Sequence, residues 1–180
     1  MEQTHRDMKK IILAVIALFA FSFANGQAKE GQLSKGKWLV EVNTGFGDRV
    51  GSTAIYLTSS DGVTAYNIGA EGGYFIKDKL ALKLGLGYGD NGIKGQETPI
   101  AYKIGAKYYL KSMIPLELSY NGVGIGQADA NPTYLGLQAG YALFIGKNIS
   151  IEPGFRYNMA THKQYYDNSL QFNIGFALHL

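Results

Sequence analysis

The chain has no cysteine among its 180 residues. That excludes disulfides, thiolate metal centres, a cysteine nucleophile and a lipid anchor on an N-terminal cysteine. Proline is scarce, with four in all, so long extended segments go largely unbroken. Charge is sparse as well, at 17% of residues with a formal net charge of +3. No run of Lys or Arg points to nucleic acid, so none is expected as a partner. The only sustained apolar run, Ile11 to Ala24, falls short of the ~20 residues that a spanning helix needs. What the chain has in quantity is glycine (24) and tyrosine (13). This is too apolar and aromatic a composition for disorder.

The N-terminus reads as an address. Met8-Lys9-Lys10 precedes the apolar run, and the small and polar residues ANGQ follow it. A basic start, a short apolar stretch and a small-residue exit make a secretory signal peptide. Cleavage after Gly26 is expected, with Met8 as an alternative start. Residues 1–26 are then the signal, 27–36 a polar leader and 37–180 the folded domain.

From Lys37 onward the apolar residues recur every second place, which predicts strands rather than helices. Eight such segments follow, at 37–46, 64–76, 80–89, 100–110, 114–122, 133–145, 149–159 and 170–180. Their connections alternate in length. KDK, KSM and GKN are tight polar turns, whereas the other links are longer, the longest running from Gly47 to Val63. An even number of antiparallel strands with short turns at one end and long loops at the other is the pattern of an outer-membrane barrel. Of the two prolines within strands, Pro115 opens one and Pro153 is expected to mark a bulge.

The two faces of each strand settle which side is inside. In LALKLGLGYG (80–89), leucines fill one face, while Ala, Lys and glycines fill the other. An eight-stranded barrel has a bore just wide enough for side chains to fill. The bulky apolar set cannot fit there, and the glycines with a few long polar groups can. The leucines are therefore expected to face lipid, and closure removes the sheet edges that a bilayer forbids. Aromatics gather at the strand ends as two interfacial belts. Phe46, Tyr66, Tyr88, Tyr102, Tyr120 and Tyr157 lie toward the loops, and Trp38, Tyr74, Tyr108 and Tyr141 toward the turns.

In this pattern the chain resembles the small eight-stranded outer-membrane β-barrels of the OmpA-transmembrane-domain and OmpX type. The resemblance covers residues 37–180 and lies in the alternation rather than in a diagnostic motif. It implies an all-β, up-and-down transmembrane barrel in a Gram-negative outer membrane, with both termini periplasmic and outer-membrane lipid as its surroundings. The closing LQFNIGFALHL resembles the C-terminal strand signal read by the outer-membrane insertion machinery, departing from it in ending on Leu180 rather than an aromatic. The peptidoglycan-binding domain of longer relatives is expected to be absent.

Inward parity collects Glu41, Glu71, Glu117 and Glu152 against Lys83, Lys103, Lys107 and Arg156. Unpaired buried ions cost several kcal/mol each, so mutual pairing is expected. By height on neighbouring strands, Glu71 should meet Lys83 and Lys107 should meet Glu117, with Arg156 reaching toward Glu41. No cofactor or metal site is expected, and no enzyme. Of three histidines, His5 lies in the signal, His179 points inward, and His162 with Asp167 and Ser169 forms no triad by spacing. The expected role is structural or surface-interacting, in a monomer with a charge-plugged lumen, and a ligand for the loops is left open. The alternatives are a narrow pore for small solutes or apolar molecules, a soluble lipocalin-like binding barrel, or a lipid A-modifying enzyme.

Overall fold

The computed structural model describes residues 31–47, 53–60, 63–90, 92, 98–124 and 131–180. The expected signal segment, residues 1–26, and residues 48–52 and 61–62 of the longest loop lie outside the described residues. Ten strands follow in order: β1 (Trp38–Gly47), β2 (Tyr56–Ser60), β3 (Val63–Lys77), β4 (Leu80–Asp90) and β5 (Ile100–Leu110). Then come β6 (Ile114–Gly124), β7 (Thr133–Gly140), β8 (Leu143–Phe144), β9 (Ile149–Ala160) and β10 (Ser169–His179). Neighbours pair antiparallel in the order β1-β10-β9-β7-β6-β5-β4-β3-β2, and a β1–β3 pairing closes the sheet. β7 and β8 form one wall strand and β2 belongs to a loop, so the wall is an eight-stranded antiparallel barrel.

The gap between β7 and β8 has a simple cause. Tyr141 N–H donates to the Pro153 carbonyl at 2.9 Å, but Pro153 has no N–H to return the bond. The register of β9 against both neighbours is unbroken through Pro153. The expected bulge is therefore absent there: one ladder bond is missing and no residue is inserted. The register shift lies instead between Phe75 and Lys77, beside the β3–β4 turn. Lys79 in that turn has φ 67°, which lets β4 start at once.

The faces are inverted relative to a soluble protein. Along β4, Leu84 is 64% exposed and Lys83 1%. A band carrying Ile68, Leu82, Leu86, Ile104, Leu118, Leu137 and Phe155 is exposed around the wall, and such a band is tolerated only in lipid. Trp38, Tyr74, Tyr88, Tyr102, Tyr108, Tyr120 and Tyr157 are exposed near the strand ends, and Tyr66 and Tyr141 are partly so. Phe46's side chain lies outside the described residues.

Two features fall outside the strand pattern. At the short-turn end, the leader's last residues are folded against the barrel. Gln32 and Leu33 are buried, Gln32 Nε2 donates to the carbonyls of Gly146 (3.0 Å) and Lys147, and Lys79 N–H donates to the Leu33 carbonyl at 2.7 Å. At the loop end, β1 and β3 pair only from Trp38↔Tyr74 to Glu41↔Glu71. Above that point the first loop folds back between them. β2 pairs β3 antiparallel, Thr44 and Ile55 form a parallel bridge, and Ile55 N–H donates to the Asn43 carbonyl at 2.7 Å. This loop segment is held by the β2 ladder on one side and by the single parallel bridge to β1 on the other.

Candidate functional site: the charged lumen

Glycines on the inward face of the strands leave space that long polar side chains from other strands occupy. An added Cβ at Gly136 would lie 2.0 Å from Arg156 Nη2, and one at Gly85 would lie 3.0 Å from both Glu71 Cγ and Thr53 Cγ2. All eight charged residues singled out above are buried here.

At the centre, Lys83 Nζ lies 2.8 Å from Glu41, 2.7 Å from Glu71 and 2.7 Å from Glu117. The three carboxylates bring oxygens within 4.8 Å of one another, a donor set suited to a cation, and the Lys83 ammonium is the cation among them. Lys103 joins Glu71 (2.5 Å) to Glu117 (3.5 Å). Lys107 joins Glu41 (2.7 Å) to Glu152 (2.6 Å). Arg156 directs its five N–H donors at five acceptors: Glu117 (3.0 Å), Gln138 (3.3 Å), Asn121 (2.8 Å), Asn158 (2.9 Å) and Ser119.

Two pairings differ from those suggested by height along the wall. Lys107 and Glu117 are direct neighbours in the β5–β6 ladder, yet Lys107 reaches across to Glu41 and Glu152. Arg156 binds Glu117 rather than Glu41. Lysine and arginine stems are long compared with the spacing of adjacent strands, so their charged ends land past the neighbour and near the barrel axis.

The layers on either side of the charges differ. Toward the turns, Phe75, Tyr109, Phe144 and His179 stack with ring centroids 5.3–6.3 Å apart, above the buried Leu33. Tyr109 donates to Glu152 at 3.0 Å, as does Ser150 at 2.7 Å, and Ser150 lies 2.9 Å from His179 Nε2. With the Ser150 hydroxyl donating to Glu152, its oxygen is left to accept from His179 Nε2. Toward the loops the lumen turns to amides and hydroxyls. Thr53 donates to Glu71 and Asn67 to the Ala54 carbonyl, both through close contacts. A polar cavity of about 10 Å³ lies among Asn43, Thr53, Glu71, Lys103, Arg156 and Asn173, room for about one water. In the last loop, His162 Nδ1 lies 3.3 Å from the Thr133 hydroxyl and 3.2 Å from that of Thr161. Ser169 is bonded to Asn158 instead of His162.

The roles of Gln32 and Leu33 and of Thr53 to Ile55 were missed in the sequence. The only signal was an apolar residue, Leu33, standing alone in a polar leader.

A closed antiparallel barrel, apolar outside and charged within, defines an outer-membrane-type transmembrane β-barrel. No protein-family model matches the chain, and no curated protein does. Among solved structures, the chain is similar to the N-terminal β-barrel domain of Pseudomonas aeruginosa OprF. The identity is 13% and the TM-score 0.51, with 81% of this chain and 98% of that domain covered. It is also similar to a de novo designed transmembrane β-barrel, at 14% identity and a TM-score of 0.49, covering 82% of this chain and 98% of the design. Yersinia pestis Ail, an outer-membrane protein, follows at 12% identity and a TM-score of 0.46, covering 81% of this chain and 100% of Ail. At 13% identity, what the chain shares with the OprF domain is the fold.

Proposed function

We propose that this chain is a monomeric outer-membrane barrel with a structural or surface-interaction role, its lumen plugged by paired charges. The turns and both termini face the periplasm, and the long loops present the outward surface to any extracellular ligand. The observation that carries the reading is Lys83 held by three carboxylates at 2.7–2.8 Å on the barrel axis. A solute would have to part ions whose separate burial costs several kcal/mol each. The aromatic layer and Leu33 beneath, and the inserted Thr53 and Ala54 above, obstruct the same path.

Planar-bilayer recording on the refolded protein tests this. The wild type is expected to give no steady conductance. A stable open channel would overturn the plug and favour the narrow pore.

A further inference from the structure

The charges outside the lumen are sorted by end. Among the described residues, the short-turn end carries Lys35, Lys37, Lys77, Lys79, Lys111 and Lys147 against Asp78 alone. In sequence the connections at the other end hold more acids than bases: Asp48, Asp61, Asp90, Glu97, Asp129 and Asp167 against Arg49, Lys94 and Lys163. Basic clusters at a membrane surface attract acidic headgroups.

Below this rim the lipid-facing wall is not smooth. Gly72 faces outward with nothing within 4 Å of where a Cβ would stand. Around it Trp38, Tyr74, Leu82, Leu84 and Ile104 bound an almost wholly apolar groove of about 360 Å³. Two cross-strand rows line it, Trp38, Tyr74 and Leu82 nearer the turns and Gly72, Leu84 and Ile104 one same-face step deeper. One end lies at mid-wall. At the other end, next to the Trp38–Tyr74 edge-to-face pair (5.1 Å), three lysines flank the opening. Lys37 precedes β1, Lys77 ends β3 and Lys79 precedes β4. Lys37 and Lys77 are exposed and Lys79 is half-buried.

We infer that the Trp38–Gly72 groove with Lys37, Lys77 and Lys79 at its mouth is a binding site for an acidic phospholipid of the leaflet at the short-turn end. Phosphate sits among the ammonium groups and one acyl chain lies over Gly72. A headgroup at the lysine rim, with a chain passing from the Trp38–Tyr74–Leu82 row to the Gly72–Leu84–Ile104 row, is the placement of a single lipid. The inference rests on the membrane-spanning reading of the fold, and not on which compartment the turns face.

Trp38 is the only tryptophan in the chain, which gives a direct test. The full barrel is refolded into vesicles of equal parts phosphatidylglycerol and phosphatidylcholine, with brominated acyl chains on one lipid or the other. Trp38 quenching should be stronger when phosphatidylglycerol carries the bromines. The expected relative binding is about fivefold, the attraction of roughly one lysine for an anionic surface. Lys37→Gln, Lys77→Gln and Lys79→Gln together should bring the ratio to near one. Gly72→Leu, with the lysines intact, should lower it by filling the groove. Each variant's heat-dependent gel shift verifies folding. Equal quenching in the two wild-type mixtures would overturn the site, as would a preference that survives the triple change. Absence of quenching by either lipid would refute the membrane-spanning reading instead.

Discussion

Lys107 and Glu117 face one another across the β5–β6 ladder, but the ion pairs of Lys107 are with Glu41 and Glu152, and those of Glu117 are with Lys83, Lys103 and Arg156. The network is therefore woven across the bore rather than around the wall. Its couplings should follow reach and not adjacency. Lys83→Met should cost roughly 3–5 kcal/mol by removing the central cation that three buried carboxylates share. The double change with Glu117→Gln should be milder than the sum, with a coupling of ~0.5–3 kcal/mol. Lys107→Met with Glu117→Gln should show the smaller coupling of the two. Urea unfolding in lipid vesicles measures both cycles.

Glycines on opposite faces should differ in their response to an added methyl. Gly136→Ala drives a methyl into the Arg156 guanidinium, since the added carbon would lie 2.0 Å from Nη2. A loss of ~1–3 kcal/mol is expected. Gly72→Ala points into open lipid and should be neutral in the same unfolding assay. Leu84→Arg, on the lipid face at mid-wall, should cost ~2–4 kcal/mol.

The insert between β1 and β3 depends on a bare backbone at Gly69. A Cβ there would lie 2.0 Å from the Thr53 carbonyl oxygen. Gly69→Val should therefore expel Thr53 and Ala54 from the lumen while leaving the strands paired. Thiol labelling of an Ala54→Cys reporter measures this: slow in the parent background, where Ala54 is buried, and fast with Gly69→Val.

Orientation has its own check. On intact cells, a protease site placed in residues 48–61 should be cut, while one at Lys77–Lys79 should stay protected until the outer membrane is breached. The reverse pattern would invert the proposed sidedness.

The faces and the strand boundaries were legible in the sequence because the side-chain period of a strand is two. Lys83 between Leu82 and Leu84 announces an inward charge without any knowledge of neighbours. The partners of that charge were less legible. Glu71 and Lys83 lie on adjacent strands and do meet, but Glu41 and Glu117 come from further around the wall, at distances that only the closed curvature fixes. Thr53 was hidden in the loop because no periodicity marks it and its anchor is a glycine on another strand. At Pro153 the missing donor is visible in the sequence, and its consequence is a skipped bond in place of the expected inserted residue.

Gln32 sets an order of events in assembly. Its amide holds Gly146 and Lys147, 114 and 115 positions away in the chain, while the next residue, Leu33, holds Lys79. Those two turns lie on opposite sides of β1, and they stand at the right separation only once β1 has joined both β3 and β10. Contacts so distant in sequence form late, since strand pairing must first meet the cost of closing the chain. Docking Gln32 on one turn and Leu33 on the other therefore requires a closed wall, and a buried Leu33 is a marker that the barrel has closed.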